Sequence, residues 1–248
     1  MAAWILLYKD VGVSDNSFKH TCGFFKESAQ IVDSDFLKKG GSWVEGSGML
    51  VIPGGADKPY DEKLRGVGCE NIKAFVRNGG TYLGICAGGY FGTSKVEFAL
   101  GTDIEVNEVR ELSFFQGVSR GPFLKDFIYK SEKGACAAKI KLLHNGDIFY
   151  AYFNGGCMFD TCSVKPKDME NIQVLGVYAD KDEAPAIVKC KYGKGYAILS
   201  GVHFEYDPLI MKDDTENQEI LQPIIDAIVE TRKARDRFIH SLFGNRKF

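Results

Sequence analysis

The chain has 248 residues, of which 45% are hydrophobic and 26% charged, and its net charge is −2. That length holds one substantial domain with a sizeable core, or two small ones. The near-zero charge excludes the electrostatic footprint of a nucleic-acid or anionic-membrane binder, and no run of about 18 apolar residues is present to span a bilayer.

The N-terminal MAAWILLYKD is too short and too soon charged for a signal peptide, and WILLY (4–8) reads as a buried strand. A polar loop follows, and Ser17 is positioned to N-cap a helix reaching about Glu27. GMLVI (48–52) is a second strand, stopped by Pro53-Gly54-Gly55. A helix is expected from Asp61, with Leu64, Ile72, Phe75 and Val76 on its apolar side and Gly79-Gly80 at its end. TYLGI (81–85) is the next strand. Strand, helix and strand with short links make a βαβ unit, which implies a parallel sheet covered by helices.

Residues 96–135 show no clean period. Strands are expected again at 138–143, 147–153, 172–178 and 186–192, and a Gly193-Lys194-Gly195 turn joins the last to YAILSGV (196–202) as a hairpin. Ile220, Leu221, Ile224, Ile225, Ile228 and Val229 mark an amphipathic helix over 218–231. Pro223 fits a first helical turn, which would start that helix near Gln222. The basic stretch KARDRFIHSLFGNRKF reads as a solvated helix end. No repeat or linker interrupts the chain, so residues 1–248 are expected to form one domain.

Seven cysteines (Cys22, Cys69, Cys86, Cys136, Cys157, Cys162 and Cys190) are scattered without a Cys-x-x-Cys pair. They suggest free thiols in a reducing, cytoplasmic setting. Cys157 and Cys162 have no His nearby and do not make a zinc site. Cys86 stands out. It ends a strand inside Gly84-Ile85-Cys86-Ala87-Gly88, the cysteine form of Gly-x-nucleophile-x-Gly. Such a turn raises the side chain beside a helix N-terminus, where a thiolate is favoured and the next N–H points at a substrate oxyanion. A small core residue before a Gly-rich turn is the other reading of the pentapeptide.

A thiol nucleophile needs a base. His20 and His240 fall on expected amphipathic helices, where a surface His is the default, and His144 lies in the turn LLHNGD. His203 instead follows the strand AILSGV directly, at the sheet edge where α/β active sites collect. Glu205, two residues on, can share its side of an extended backbone and orient the imidazole. Gly54 and Gly55, after a neighbouring strand, can bring N–H groups close to a substrate oxygen and complete an oxyanion hole with Ala87.

Pro53-Gly54-Gly55, Gly84-x-Cys86-x-Gly88 and His203-x-Glu205, in that order, resemble the class I glutamine amidotransferase superfamily. The longer words VIPGGADKPY, CAGGYFGTSKVEFALG, FFQGVSRGP, YFNGG and GVHFE are similar to the N-terminal amidotransferase-like domain of eukaryotic biotin–protein ligases, as is Ser17-x-Lys19-His20. The likeness runs from about residue 4 to 207. It implies an α/β, flavodoxin-like three-layer sandwich, with a mostly parallel sheet and helices on both faces. It also implies Cys86 as nucleophile, His203 as base and Glu205 as orienting acid. Phe204 stands where amidotransferases carry Pro between His and Glu. The Gly/Arg-rich loop that holds biotinyl-adenylate is missing from these residues, so the chain is not expected to biotinylate by itself.

Glu97, Arg120, Tyr152 and Asn154 lie in family words rich in Gly and aromatic residues, and could line a pocket over Cys86 or hold loops. The expectation is a glutaminase or amidohydrolase working through a thioester on a small amide such as glutamine, with no metal or organic cofactor. A cysteine peptidase or deglycase keeps the triad and changes the substrate. A non-catalytic binding module, partner to a separate biotin ligase or acceptor protein, is the third reading.

Overall fold

The computed structural model describes residues 4–25, 29–46 and 48–243. The chain opens with strand β1 (Ile5–Tyr8), helix α1 (Asp15–Phe25), β2 (Ala29–Val32), α2 (Ser34–Lys39), β3 (Met49–Ile52), α3 (Asp57–Leu64), α4 (Val67–Arg77), β4 (Thr81–Ile85) and the short α5 (Ala87–Phe91). It continues through β5 (Thr93–Phe98), β6 (Val106–Val109), β7 (Phe115–Gly121), β8 (Cys136–Leu142), β9 (Ile148–Phe153), β10 (Met158–Asp160), α6 (Pro166–Met169), β11 (Ile172–Tyr178), β12 (Ala184–Tyr192) and β13 (Gly195–Ser200). It closes with α7 (Pro208–Met211), α8 (Gln218–Glu230) and α9 (Arg232–Phe243).

Nine strands form one sheet in the order β2-β1-β3-β4-β13-β12-β11-β8-β9. β1, β3 and β4 are buried at every position, which is why they read as unbroken apolar runs. Their side chains alternate between two cores. Leu6, Leu50, Tyr82 and Leu199 join the helices α2–α5 on one face. Leu7, Val51, Leu83 and Ile198 join Phe25 of α1 and Phe238 and Phe243 of α9 on the other. The expected three-layer α/β sandwich is therefore present. The sheet is parallel from β2 to β13 and antiparallel from β13 to β9. The antiparallel half exists because short turns such as Gly193-Lys194 allow a hairpin and leave no room for a crossover.

Residues 96–135, which show no period, supply most of a second sheet, β10-β7-β5-β6. Its strands are short and half exposed, so hydrophobic alternation is weak. Arg110, just past β6, ties this sheet to α3. The arginine is 3% exposed, and its Nη2 and Nε lie 2.7 and 2.8 Å from Asp57 Oδ2. Burial nonetheless holds the Asp57 carboxyl above its ordinary range, against the pull of the Arg110 charge.

Four local expectations are corrected. Ser17 is inside α1, which starts at Asp15, and Ser14 Oγ accepts the Ser17 N–H at its N-terminus; Glu27 lies outside the described residues. The helix expected from Asp61 is two helices broken at Arg65-Gly66, the first starting at Asp57. α8 begins at Gln218, with Pro223 inside it. Leu221 is already buried there and the Pro223 ring faces outward, so packing outweighs one lost backbone bond. His20 is 1% exposed and not a surface residue. The basic C-terminal stretch is a helix whose Phe238 and Phe243 are buried and whose Arg237 pairs with Asp147 at 2.8 Å. Among the described residues no helix is long and apolar enough to cross a membrane.

Arg110→Ala leaves Asp57 buried without its cation and should cost about 3–5 kcal/mol of stability, read by denaturant unfolding. A loss below about 1 kcal/mol would show that the pair does not hold the second sheet to α3.

Candidate active site

Cys86 sits between β4 and α5 as the residue before the helix, with φ of 51°. That left-handed conformation is uncommon for a residue with a Cβ and costs of order 1–3 kcal/mol. The flanking glycines make it attainable. A Cβ on Gly84 would lie 2.2 Å from the Gly88 carbonyl oxygen, and one on Gly88 would lie 2.0 Å from the Ile52 carbonyl oxygen. No larger residue lets α5 press so closely on β3 and β4. The Cys86 N–H donates to the Ser200 carbonyl (2.8 Å), which locks the turn to the end of β13.

Beyond that end, His203 is held on both sides. Its backbone N–H donates to the Tyr152 carbonyl at 2.8 Å, and its Nδ1 lies 2.7 Å from Glu205 Oε1. Glu205 is 2% exposed and its Oε2 has no hydrogen-bond partner among the described residues, so its charge is directed at the imidazole. Phe204 takes over the work of the absent Pro. It is 1% exposed and packs edge-on against Phe24 and Phe238, so the segment is pinned through the core. Sγ of Cys86 lies 4.0 Å from the Asn154 carbonyl oxygen, and His203 adjoins it closely enough that the sulfur adds to the ring's affinity for a proton. Burial works against a charged imidazole here, but Glu205 and Cys86 outweigh it and push His203 up to about 10. Such a Cys-His-Glu arrangement can support an imidazolium beside a thiolate, and a loose thiol–imidazole contact is usual before substrate binds.

The remaining candidates separate. Gly54 is needed for proximity: a Cβ there would lie 2.6 Å from His203 Cε1. Its N–H, however, donates to Ser17 Oγ (2.9 Å), so Gly54 is not a spare oxyanion donor. Gly55 faces Val13 in a bridge whose bonds run from the Ser14 and Ala56 N–H groups to the Gly54 and Gly12 carbonyls, which leaves its own N–H out. Ala87 is the first residue of α5, where N–H groups lack intrahelical acceptors. Tyr152 and Asn154 line the cavity at Cys86. Glu97 and Arg120 do not. They are paired across β5 and β7 and bonded to each other, with Arg120 also 3.1 Å from Asp160. They hold the second sheet together.

The cavity has two lobes that meet at Cys86. One, of about 210 Å³, runs between Ala56, Tyr90, Phe98 and Phe127. The other, of about 520 Å³, is walled by residues 12–17, Glu132, Tyr152, His203 and Tyr206. A layer of stacked rings forms the wall behind His203: His20 on Tyr206 (3.7 Å between centroids) and Tyr206 on Tyr152 (4.3 Å). His20 Nδ1 accepts the Asp207 N–H (3.0 Å), and burial, with His203 and Lys19 nearby, pushes it down to about 3, so this ring is neutral. Ser17 and His20 are three residues apart on one face of α1, a spacing that sequence could have read as a shared site. Glu132 and Tyr206 carried no such signal. Among the described residues no group of three or more His, Cys, Asp or Glu could hold a metal ion.

Glu205→Gln removes the charge that favours the imidazolium. The His203 Cε1 proton, followed by NMR, should titrate near pH 10 in the native protein and at least about one unit lower in the variant. An unchanged titration would show that Glu205 does not set the protonation of His203.

Comparison with known proteins bears on the fold and the family. The structure is similar to a glutamine amidotransferase at TM-score 0.56 and 16% identity, covering 88% of this chain and 98% of that one. It is similar to a glutamine amidotransferase from Thermotoga maritima at TM-score 0.56 and 13% identity, covering 99% and 100%. At these identities the likeness shows the fold, which is of the class I glutamine amidotransferase-like type. In sequence, an uncharacterized protein of Chlamydia muridarum is 37% identical over 222 residues, 86% of this chain and 84% of that protein. The biotin–protein ligase of Schizosaccharomyces pombe is 35% identical over 207 residues, which are 79% of this chain but 32% of the ligase. The family model for the N-terminal region of biotin–protein ligases matches residues 3–247, and the chain belongs to that family.

Proposed function

We propose that the chain hydrolyses a small carboxamide, of the glutamine class, through a thioester on Cys86. The observation that carries this reading is the buried His203–Glu205 pair (2.7 Å) beside a thiol held at φ 51° on a strand-to-helix turn. The Cys86 proton rests on His203, where Glu205 favours it, and the thiolate attacks the amide carbonyl. The N–H groups of Ala87 and Gly55 receive the oxyanion. The imidazolium protonates the leaving nitrogen, ammonia departs, and water activated by His203 cleaves the thioester. This chain's residues supply every proton transfer in the scheme.

A second reading rests on a different observation. In the Schizosaccharomyces pombe protein the matching segment is about a third of a longer ligase. The domain would then act on, or beside, a biotin ligase as its partner, and the ammonia or the bound amide would matter to that partner.

Incubation with glutamine should release ammonia, and Cys86→Ala should lower the rate at least about a thousandfold while the protein stays folded. Ammonia release that survives the substitution would overturn the thioester route. A native protein that releases none from any amide, and whose Cys86 reacts with iodoacetamide no faster than an ordinary thiol, would favour the binding-module reading.

A further inference from the structure

The carboxylate of Glu205 is held by little of its own. Its Oε1 meets His203 Nδ1 at 2.7 Å, and its Oε2 is buried with no hydrogen-bond partner among the described residues. One contact to an imidazole does not fix a carboxylate that must in turn fix that imidazole. The backbone on either side of Glu205 has to do it. On the near side Phe204 packs against Phe238 of α9, 5.7 Å between centroids and edge-on. On the far side the Tyr206 carbonyl accepts from Arg235 Nη1 at 2.9 Å. Arg235 and Phe238 are three residues apart on α9, so one face of that helix holds both neighbours of Glu205.

Arg235 differs from the other arginines of its helix. Its side chain is 12% exposed, against 72% for Arg232 and 60% for Arg237. Its Nε is buried without a hydrogen-bond partner among the described residues, and its ion pair there is a loose one, 3.8 Å to the half-exposed Asp236. Burial and Arg232 pull Arg235 below its ordinary range, while Asp236, Asp207 and Glu205 pull it back. A buried guanidinium with an open N–H is costly, and an apolar side chain of similar volume is often at least as stable in such a place. What the arginine adds is a rigid, planar donor aimed at the chain that carries Glu205. Tyr206 passes that hold inward: its ring stacks on His20 and on Tyr152 and lies 4.6 Å from the His203 ring.

Resting on the reading of His203 as base and Glu205 as its orienting acid, we infer that Arg235 is a positioning residue for that pair. With Phe238 it grips the residues on either side of Glu205 and so sets the carboxylate against His203.

The test follows the His203 Cε1 proton by NMR in the full chain carrying Arg235→Met, which fills the space and removes the donor. The other groups facing His203 stay in place: Cys86 from the turn, His20 from α1, Glu132 and Tyr152 from the cavity wall, and Glu205 itself. Without the clamp the contact to Glu205 loosens, and the titration should fall at least about one unit below its native position near pH 10. The sign separates the possible roles. Loss of a cation that acted through its charge alone would raise the titration. Loss of a group that served stability alone would lower the denaturant midpoint and leave the titration in place. Either result overturns the inference. Arg235→Lys keeps a cation on a shorter reach, and its titration should lie between the other two. If Arg235→Met does not fold, an Arg235→Lys titration at or above the native position overturns the inference by itself. No turnover is needed: a lowered titration in a protein that releases no ammonia supports the clamp and sinks the hydrolase reading, and ammonia release with an unmoved titration does the reverse.

Discussion

The turn from β4 into α5 depends on a contact no side chain can fit. Gly84 and Gly88 bring backbone within van der Waals distance of backbone, at Gly88 and Ile52, so the helix starts against the sheet and Cys86 takes the strained φ of 51°. Everything else at the site is referenced to this turn. The Ser200 carbonyl accepts its N–H and sets where β13 ends, and the end of β13 sets where His203 begins. A parallel arrangement of β3, β4 and β13 places Pro53-Gly54-Gly55, Cys86 and His203 at one edge of the sheet, although His203 lies more than a hundred residues beyond the other two in sequence. The strain is offset by two continuous cores that load both faces of the sheet.

The His-Glu pair shows how one constraint can replace another. Proline between the two residues would fix the backbone by its ring. Phe204 fixes it by burial between Phe24 and Phe238, and the 2.7 Å contact from His203 to Glu205 forms regardless. Burial alone would strip the proton from His203; an unshared carboxylate beside it reverses that sign. The neutral His20, on the far side of the Tyr206 ring from His203, has no carboxylate partner and goes the other way. Two buried histidines in one site are thus separated into a charged and an uncharged member by their neighbours.

How legible this was depended on range. Strands buried on both faces announce themselves, so β1, β3, β4 and the β12–β13 hairpin follow from residues in sequence. The glycines around Cys86 and the His-x-Glu after β13 are local patterns and could be read as a site. What stayed hidden depends on tertiary contact. Ser17 looked like a helix cap, and only the fold brings the Gly54 N–H to its hydroxyl. Glu97 and Arg120 sat in suggestive words, but the register of β5 against β7 pairs them with each other, away from Cys86. Glu132 sits in a stretch without period, and its place beside His203 comes from Tyr152 and the loop that Asn154 holds. Pro223 argued for a helix start four residues late, because the buried Leu221 that extends the helix backwards has no local signature stronger than a proline.

The proposed hydrolysis turns on a covalent bond between Cys86 and the acyl part of an amide. The most direct measurement is acid quenching during incubation with glutamine, followed by mass spectrometry of the Cys86 peptide. An acyl adduct on Cys86 should appear with substrate and decay as the substrate is exhausted. Ammonia released while Cys86 stays unmodified, under conditions that preserve a thioester, would contradict it.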